Sequence, residues 1–122
     1  MTKNHLNPTE AQEQETLFRW TEFYAQQQPD IELLLHIPNG GSRHPAEAAN
    51  LKRQGVKAGV PDLLLPVARK GYHGLWIEMK RIGGRISPNQ QYWLRNLGEQ
   101  GYKCEVCYGY DEAVKVIKEY ME

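Results

Sequence analysis

The sequence predicts an α/β domain in which one β-sheet of mixed strand direction is flanked by helices, and three observations predict it. Two short apolar runs, 60–66 and 75–80, have strand length and are joined by a glycine-bearing turn. Segments with helical spacing and capping residues stand before, between and after the apolar runs, so the order reads α β α β β α β α. At 122 residues the chain is long enough for one core and too short for two, so residues 1–122 are expected to form a single domain.

Taken in order, Asn7-Pro8-Thr9-Glu10 has the composition of a helix start, with Asn7 as N-cap, Pro8 at the first helical position and Glu10 closing a capping box. That helix is expected to reach Gln28. Leu17, Trp20, Thr21 and Tyr24 fall on one stripe, which extends backwards to Glu10, Glu13 and Gln14. Pro29-Asp30 ends the helix, and the apolar run Ile31 to Ile37 predicts a strand. A polar loop from Pro38 to His44 follows, with paired glycines and Arg43 as its certain cation; it has a weak reading as a phosphate contact and a plain reading as a turn. Pro45 to Gln54 predicts a helix stopped by Gly55, with Lys52 and Arg53 in the last turn, where cations suit the helix dipole.

The run 60–66 predicts the first central strand, and its consecutive leucines suggest burial on both faces. Arg69 to Gly74 forms the turn and Leu75 to Lys80 the second strand. Ser87-Pro88-Asn89-Gln90 satisfies a capping box, opening a helix to about Gly98 with Leu94 and Leu97 on its buried side and Trp93 beside them. Lys103 to Tyr108 predicts another strand. Asp111 then caps a last helix with one apolar face made by Ala113, Val114, Ile117 and Tyr120 or Met121.

Lys plus Arg equal Asp plus Glu at 15 each, so net charge alone implies no nucleic-acid partner. The distribution says more. Between His36 and Arg85 the cations Arg43, Lys52, Arg53, Lys57, Arg69, Lys70, Lys80, Arg81 and Arg85 face only Glu47, Asp62 and Glu78 as acids. No apolar run approaches the roughly 20 residues that span a bilayer, and the N-terminus is not signal-like, so a soluble cytoplasmic protein is expected. Cys104 and Cys107 lie three apart in a predicted strand and so face opposite sides, which favours buried thiols over zinc.

The chemistry-bearing residues gather in the two central strands. Glu78 and Lys80 alternate onto one face while Met79 points to the other, and Asp62 joins them if the strands are neighbours. Two carboxylates and an ammonium on one sheet face carry a desolvation cost, which a hard divalent cation would resolve. Glu10 and Glu13 each have two readings: a plain one, helix capping for Glu10 and solvation at a positive helix end for Glu13, and a third carboxylate for that cation. Arg81-Ile82-Gly83-Gly84-Arg85 is either a phosphate grip or a solvated loop.

Together, Gly59-Val60-Pro61-Asp62, Trp76-Ile77-Glu78-Met79-Lys80, Ser87-Pro88-Asn89-Gln90 and Gly101-Tyr102 resemble the virus-type replication-repair nuclease (VRR-Nuc) family, of the PD-(D/E)xK nuclease class, over nearly the whole chain. The resemblance is to stand-alone members of phages and bacteria. It implies a restriction-endonuclease-like mixed β-sheet core flanked by helices and hydrolysis of phosphodiester bonds. It also implies a likeness to dimeric Holliday-junction resolvases, and a site in a bacterial or phage-infected cell. Asp62, Glu78 and Lys80 match the class motif, Gln90 matches the family glutamine, and Glu10, with Glu13 second and Glu15 off the stripe, is chosen for the family's helix-one glutamate.

On that resemblance Asp62, Glu78 and the carbonyl of Met79 would bind Mg²⁺ or Mn²⁺, with Glu10 orienting the metal's water shell. Lys80 would position the attacking water or stabilise negative charge, and Gln90 would hold the lysine or the water. Arg43, Arg81 and Arg85 would grip phosphates of a DNA substrate, expected to be branched. A homodimer is expected, with surplus aromatics packing between subunits. Neither an organic cofactor nor a membrane partner is expected. Two alternatives stay open: a sequence-specific restriction-type endonuclease, and a non-catalytic nucleic-acid-binding subunit on the same fold.

Overall fold

The fold is described from a computed structural model over residues 8–38 and 44–122. Helix α1 spans Glu10–Tyr24, strand β1 Leu35–His36, α2 Pro45–Arg53, β2 Leu63–Leu65, β3 Leu75–Lys80, α3 Pro88–Glu99, β4 Lys103–Tyr108 and α4 Tyr110–Met121. The sheet order is β1-β2-β3-β4. The first two pairings are antiparallel, and β3 pairs with β4 in parallel from Leu75↔Lys103 to Lys80↔Tyr108. A parallel neighbour needs a crossover, and α3 supplies it. The expected mixed sheet with flanking helices is therefore present.

Alternation along β3 divides the molecule. Leu75, Ile77 and Met79 are buried with Leu63, Leu65 and Cys107 against Leu17 and Tyr24 of α1 and Ala113, Ile117 and Tyr120 of α4. Two tyrosine hydroxyls find partners at the margin of this core: Tyr120 donates to the Val67 carbonyl (2.6 Å) and Tyr24 to the Glu122 carboxylate (2.7 Å). Trp76, Glu78 and Lys80 belong to the opposite face, where α3 lies.

Several elements differ from expectation for identifiable reasons. Thr9, not Asn7, is the N-cap of α1, and Gln12 closes the box in place of Glu10; Asn7 lies outside the described residues. The helix ends at Tyr24 rather than Gln28, where the amides of Gln27 and Gln28 both fold back onto the Tyr24 carbonyl. The predicted strand 31–37 is a 3₁₀ turn over Pro29–Leu33 followed by two strand residues. Ile31 and Leu34 are the buried residues there, a spacing of three that fits a 3₁₀ helix and breaks strand alternation. The 60–66 strand shortens to three residues with Leu64 half-buried, so its burial is complete on one face only. Asp111 sits in the first turn of α4, and the N-cap is Gly109 at φ 97°.

The cysteines follow expectation. Cys107 is buried and Cys104 half-buried, both are free, and burial pushes their thiols up to about 12 and about 11 respectively. No helix among the described residues is long and apolar enough to cross a membrane.

Candidate active site

Asp62 comes from the turn that leads into β2. Gly59 stands there at φ 93°, and a Cβ on it would sit 2.7 Å from Asn89 at the start of α3; only glycine permits so close an approach. Trp93 closes the same seam by donating its indole N–H to the Ala58 carbonyl (3.1 Å). The β2–β3 register runs Leu63↔Ile77 and Leu64↔Trp76. Continued by one residue, it sets Asp62 across from Glu78. Asp62 Oδ2 accepts the Met79 backbone N–H at 2.8 Å, which ties the carboxylate to β3.

Glu78 is 2% exposed. Its Oε2 accepts from Gln90 Nε2 at 3.0 Å and lies 4.0 Å from Lys80 Nζ. Its Oε1 is buried with no hydrogen-bond partner. Burial, then the adjacent Asp62 charge, pushes the Glu78 carboxyl up to about 8, with Lys80 acting in the opposite direction. Burial also raises Asp62, against the lowering effect of the Met79 N–H. Carboxyls held in this way resist full ionisation of the pair.

Gln90 does two jobs. Its Oε1 accepts the Ser87 N–H (2.9 Å) in the α3 capping box, while its Nε2 reaches Glu78. Its amide therefore steadies the Glu78 carboxylate, and its capping role at α3 is the one expected.

The helix-one acids separate cleanly. Glu13 Oε1 accepts the Tyr110 N–H at 2.7 Å, supplying α4 with the cap that Gly109 lacks. Glu10 Oε2 lies 3.4 Å from the Arg81 amide nitrogen, which donates to it at the end of β3, and its charge acts on both Asp62 and Glu78. Glu15 is exposed. Among the described residues no three of His, Cys, Asp and Glu converge into a ligand cluster, so Glu10 stands at the rim and does not join the pair.

Arg81 and Arg85 are exposed in the segment between β3 and α3; Arg43 lies outside the described residues. Arg69 is occupied elsewhere by Asp30 at 3.2 Å. Sequence reasoning missed His36, whose Nδ1 lies 3.0 Å from the Asp62 carbonyl oxygen. Its partner across the sheet is Leu63 of β2, so only the strand register, unseen in sequence, could have found it. The Met79 N–H was likewise missed, since sequence reasoning turned to that residue's carbonyl.

The donor set fits a hard divalent cation: two adjacent carboxyls, one with an unpartnered buried oxygen, balanced by a single ammonium. Two anionic ligands with several waters are what Mg²⁺ tolerates. The profile of the VRR-NUC domain family matches residues 8–111. The chain belongs to the VRR-NUC family. A solved structure titled "VRR_NUC domain protein" is 34% identical, with a TM-score of 0.77, covering 93% of this chain and 88% of the other. Comparison with curated proteins gives no significant match. Membership of VRR-NUC carries a nuclease-type function, with DNA as substrate.

Proposed function

We propose that this VRR-NUC protein is a Mg²⁺- or Mn²⁺-dependent endonuclease that acts as a homodimer on branched DNA such as a four-way junction. One observation carries the metal dependence: opposite the half-buried Asp62, the buried Glu78 keeps its Oε1 without a hydrogen-bond partner, while Lys80 Nζ lies 4.0 Å from its Oε2. An unmet buried acceptor costs about 1–3 kcal/mol. A fold that retains one at this position is suited to a cation.

Asp62 and Glu78 would hold the metal, together with the Met79 carbonyl and waters. When bound, it would supply a Lewis acid at the phosphoryl oxygen and a more acidic water. Gln90 fixes the rotation of the Glu78 carboxylate, because it is itself fixed by Ser87. Lys80, whose side chain is 12% exposed, keeps its ammonium at the site rather than in bulk water, where it can orient the attacking water or balance phosphate charge. Glu10 orders water at the rim. Arg81 and Arg85, with Arg43, contact flanking phosphates without reading bases.

The dimer and the branched substrate rest on symmetry: paired cuts in a junction need two sites related by a two-fold axis. Burial narrows the aromatic surplus available to an interface. Tyr24 and Tyr120 belong to the core, whereas Phe23 and Tyr92 are 72% and 55% exposed.

The test is cleavage of a four-way junction, a flap, a linear duplex and a single strand in Mg²⁺, Mn²⁺ or chelator, beside light scattering. Junction cutting in paired strands, lost with chelator, by a particle of twice 14.1 kDa is expected. Chelator-resistant cutting would overturn the metal dependence. A monomer with no preference for the junction would overturn the dimer and substrate while leaving the metal site standing.

A further inference from the structure

Ile82 is 80% exposed, the most exposed large hydrophobic residue among those described. It lies two residues beyond Lys80, within about 7 Å of chain, or about two nucleotide steps along one strand. Its turn is built at both ends. The Gly84 N–H donates to the Arg81 carbonyl at 2.9 Å, and the Arg81 N–H points to Glu10. Gly83 takes φ 89°, the conformation such a turn requires at its third position. Gly84 is also close-packed, since a Cβ on it would lie 3.1 Å from the Arg81 carbonyl and 3.5 Å from the Lys80 side chain. Ile82 is thereby presented at the apex of a braced turn, next to the site and flanked in sequence by Arg81 and Arg85.

Turn geometry does not call for an isoleucine at that apex, and water does not favour one. Cations on either side of an apolar tip match the surface of DNA, where phosphates flank the apolar faces of bases. We infer that Ile82 is a wedge: it inserts against the exposed base face at a branch point or stack end near the scissile phosphate, while Arg81 and Arg85 hold the flanking backbone. This inference rests on the nuclease reading above. It assigns the choice of branched over continuous duplex to one residue, because a continuous duplex must be unstacked to admit the wedge and a branch already offers an open face.

The test uses four-way junctions carrying 2-aminopurine at each nucleotide flanking the branch, saturated with the full chain in chelator so that nothing is cut. The native protein should raise fluorescence at one or two of those positions. Ile82→Ser should lose that rise, and Ile82→Leu should retain it. The ratio of junction to duplex cleavage in Mg²⁺ should fall about tenfold in Ile82→Ser, the order expected for losing one base contact. An unchanged fluorescence rise in Ile82→Ser, or equal losses in the Ser and Leu variants, overturns the wedge. Metal-dependent cleavage by the native chain separates the two failures: if it is present while the wedge result is negative, only the wedge is lost, and if it is absent the nuclease reading falls first.

Discussion

The two faces of β3 make opposite demands on one six-residue strand. Leu75, Ile77 and Met79 meet the core at 0%, 0% and 1% exposure, and every neighbour there is apolar or satisfied. Trp76, Glu78 and Lys80 lie on the other face, where Glu78 meets Gln90 of α3 and Trp76 meets Tyr102. Among the described residues, the buried side-chain polar atoms without a partner are Trp76 Nε1 and Glu78 Oε1, both from that second face. One face contributes stability and the other draws on it. Unmet polar groups gathered on one side of one strand mark where the fold was shaped by something besides folding.

The largest expected effects come from exchanging the demands of the two faces. Asp62→Asn keeps an oxygen for the Met79 N–H and Glu78→Gln keeps the shape, yet each removes a charged ligand, so metal-dependent cleavage should fall to background. At pH 9, where both carboxyls are pressed to ionise, the metal-free Glu78→Gln protein should melt higher than the native one. Asp62→Ala is a poorer probe, since it orphans the Met79 amide. Ile77→Ala should do the reverse, costing about 2–5 kcal/mol of stability while folded molecules still cut. Melting curves beside turnover would decide it. A Glu78→Gln protein that is both less stable and fully active would erase the distinction between the faces.

A smaller effect follows from pH. The Glu78 carboxyl, ordinarily near 4.5, is pushed up to about 8 in the fold, so between those values the folded state holds a proton that the unfolded chain has released. Its contribution to stability is fully present below about 4.5 and is lost as the pH rises through about 8; the raised Asp62 carboxyl acts in the same sense. The metal-free protein should therefore lose thermal stability across that window, and Glu78→Gln should flatten the trend. Saturating Mg²⁺ should weaken it too, because the metal binds the deprotonated pair and releases the proton. A melting temperature that rises with pH in the metal-free native protein would contradict the raised carboxyl pair.

How much of this was legible in the chain depended on whether the signal was local. β3, β4 and the Ser87 capping box are encoded within a few residues, by apolar runs of strand length and by Ser-Pro-x-Gln, and they stand where the sequence puts them. Asp62, Glu78 and Lys80 were legible because strand alternation is a local rule, and Asp62 needed only one neighbouring strand to join them. The stretch 31–37 misled because an apolar run is shared by strands and 3₁₀ turns, and only the contacts of Ile31 and Leu34 decide between them. Contacts made across the fold, such as Gln90 to Glu78 or His36 to Asp62, have no trace in spacing.

Glu10 and Glu13 show that limit most plainly, and they carry the finest test. Three residues apart on one helix face, both were candidates in sequence, with Glu10 preferred on family resemblance, whereas the fold commits Glu13 to the Tyr110 N–H and leaves Glu10 near the Arg81 N–H. Glu13→Ala should cost about 1 kcal/mol, as for loss of a helix cap, with turnover per folded molecule retained. Glu10→Gln should leave stability nearly unchanged. The Glu10 charge helps to hold both Asp62 and Glu78 up. Removing it should therefore move the pH dependence of metal binding downwards by a fraction of one pH unit, small because the group is exposed and screened. Calorimetric Mg²⁺ titrations at several pH values would resolve that displacement. If Glu13→Gln produced the same displacement, or Glu10→Gln the same loss of stability as Glu13→Ala, the two acids would not be divided between cap and site.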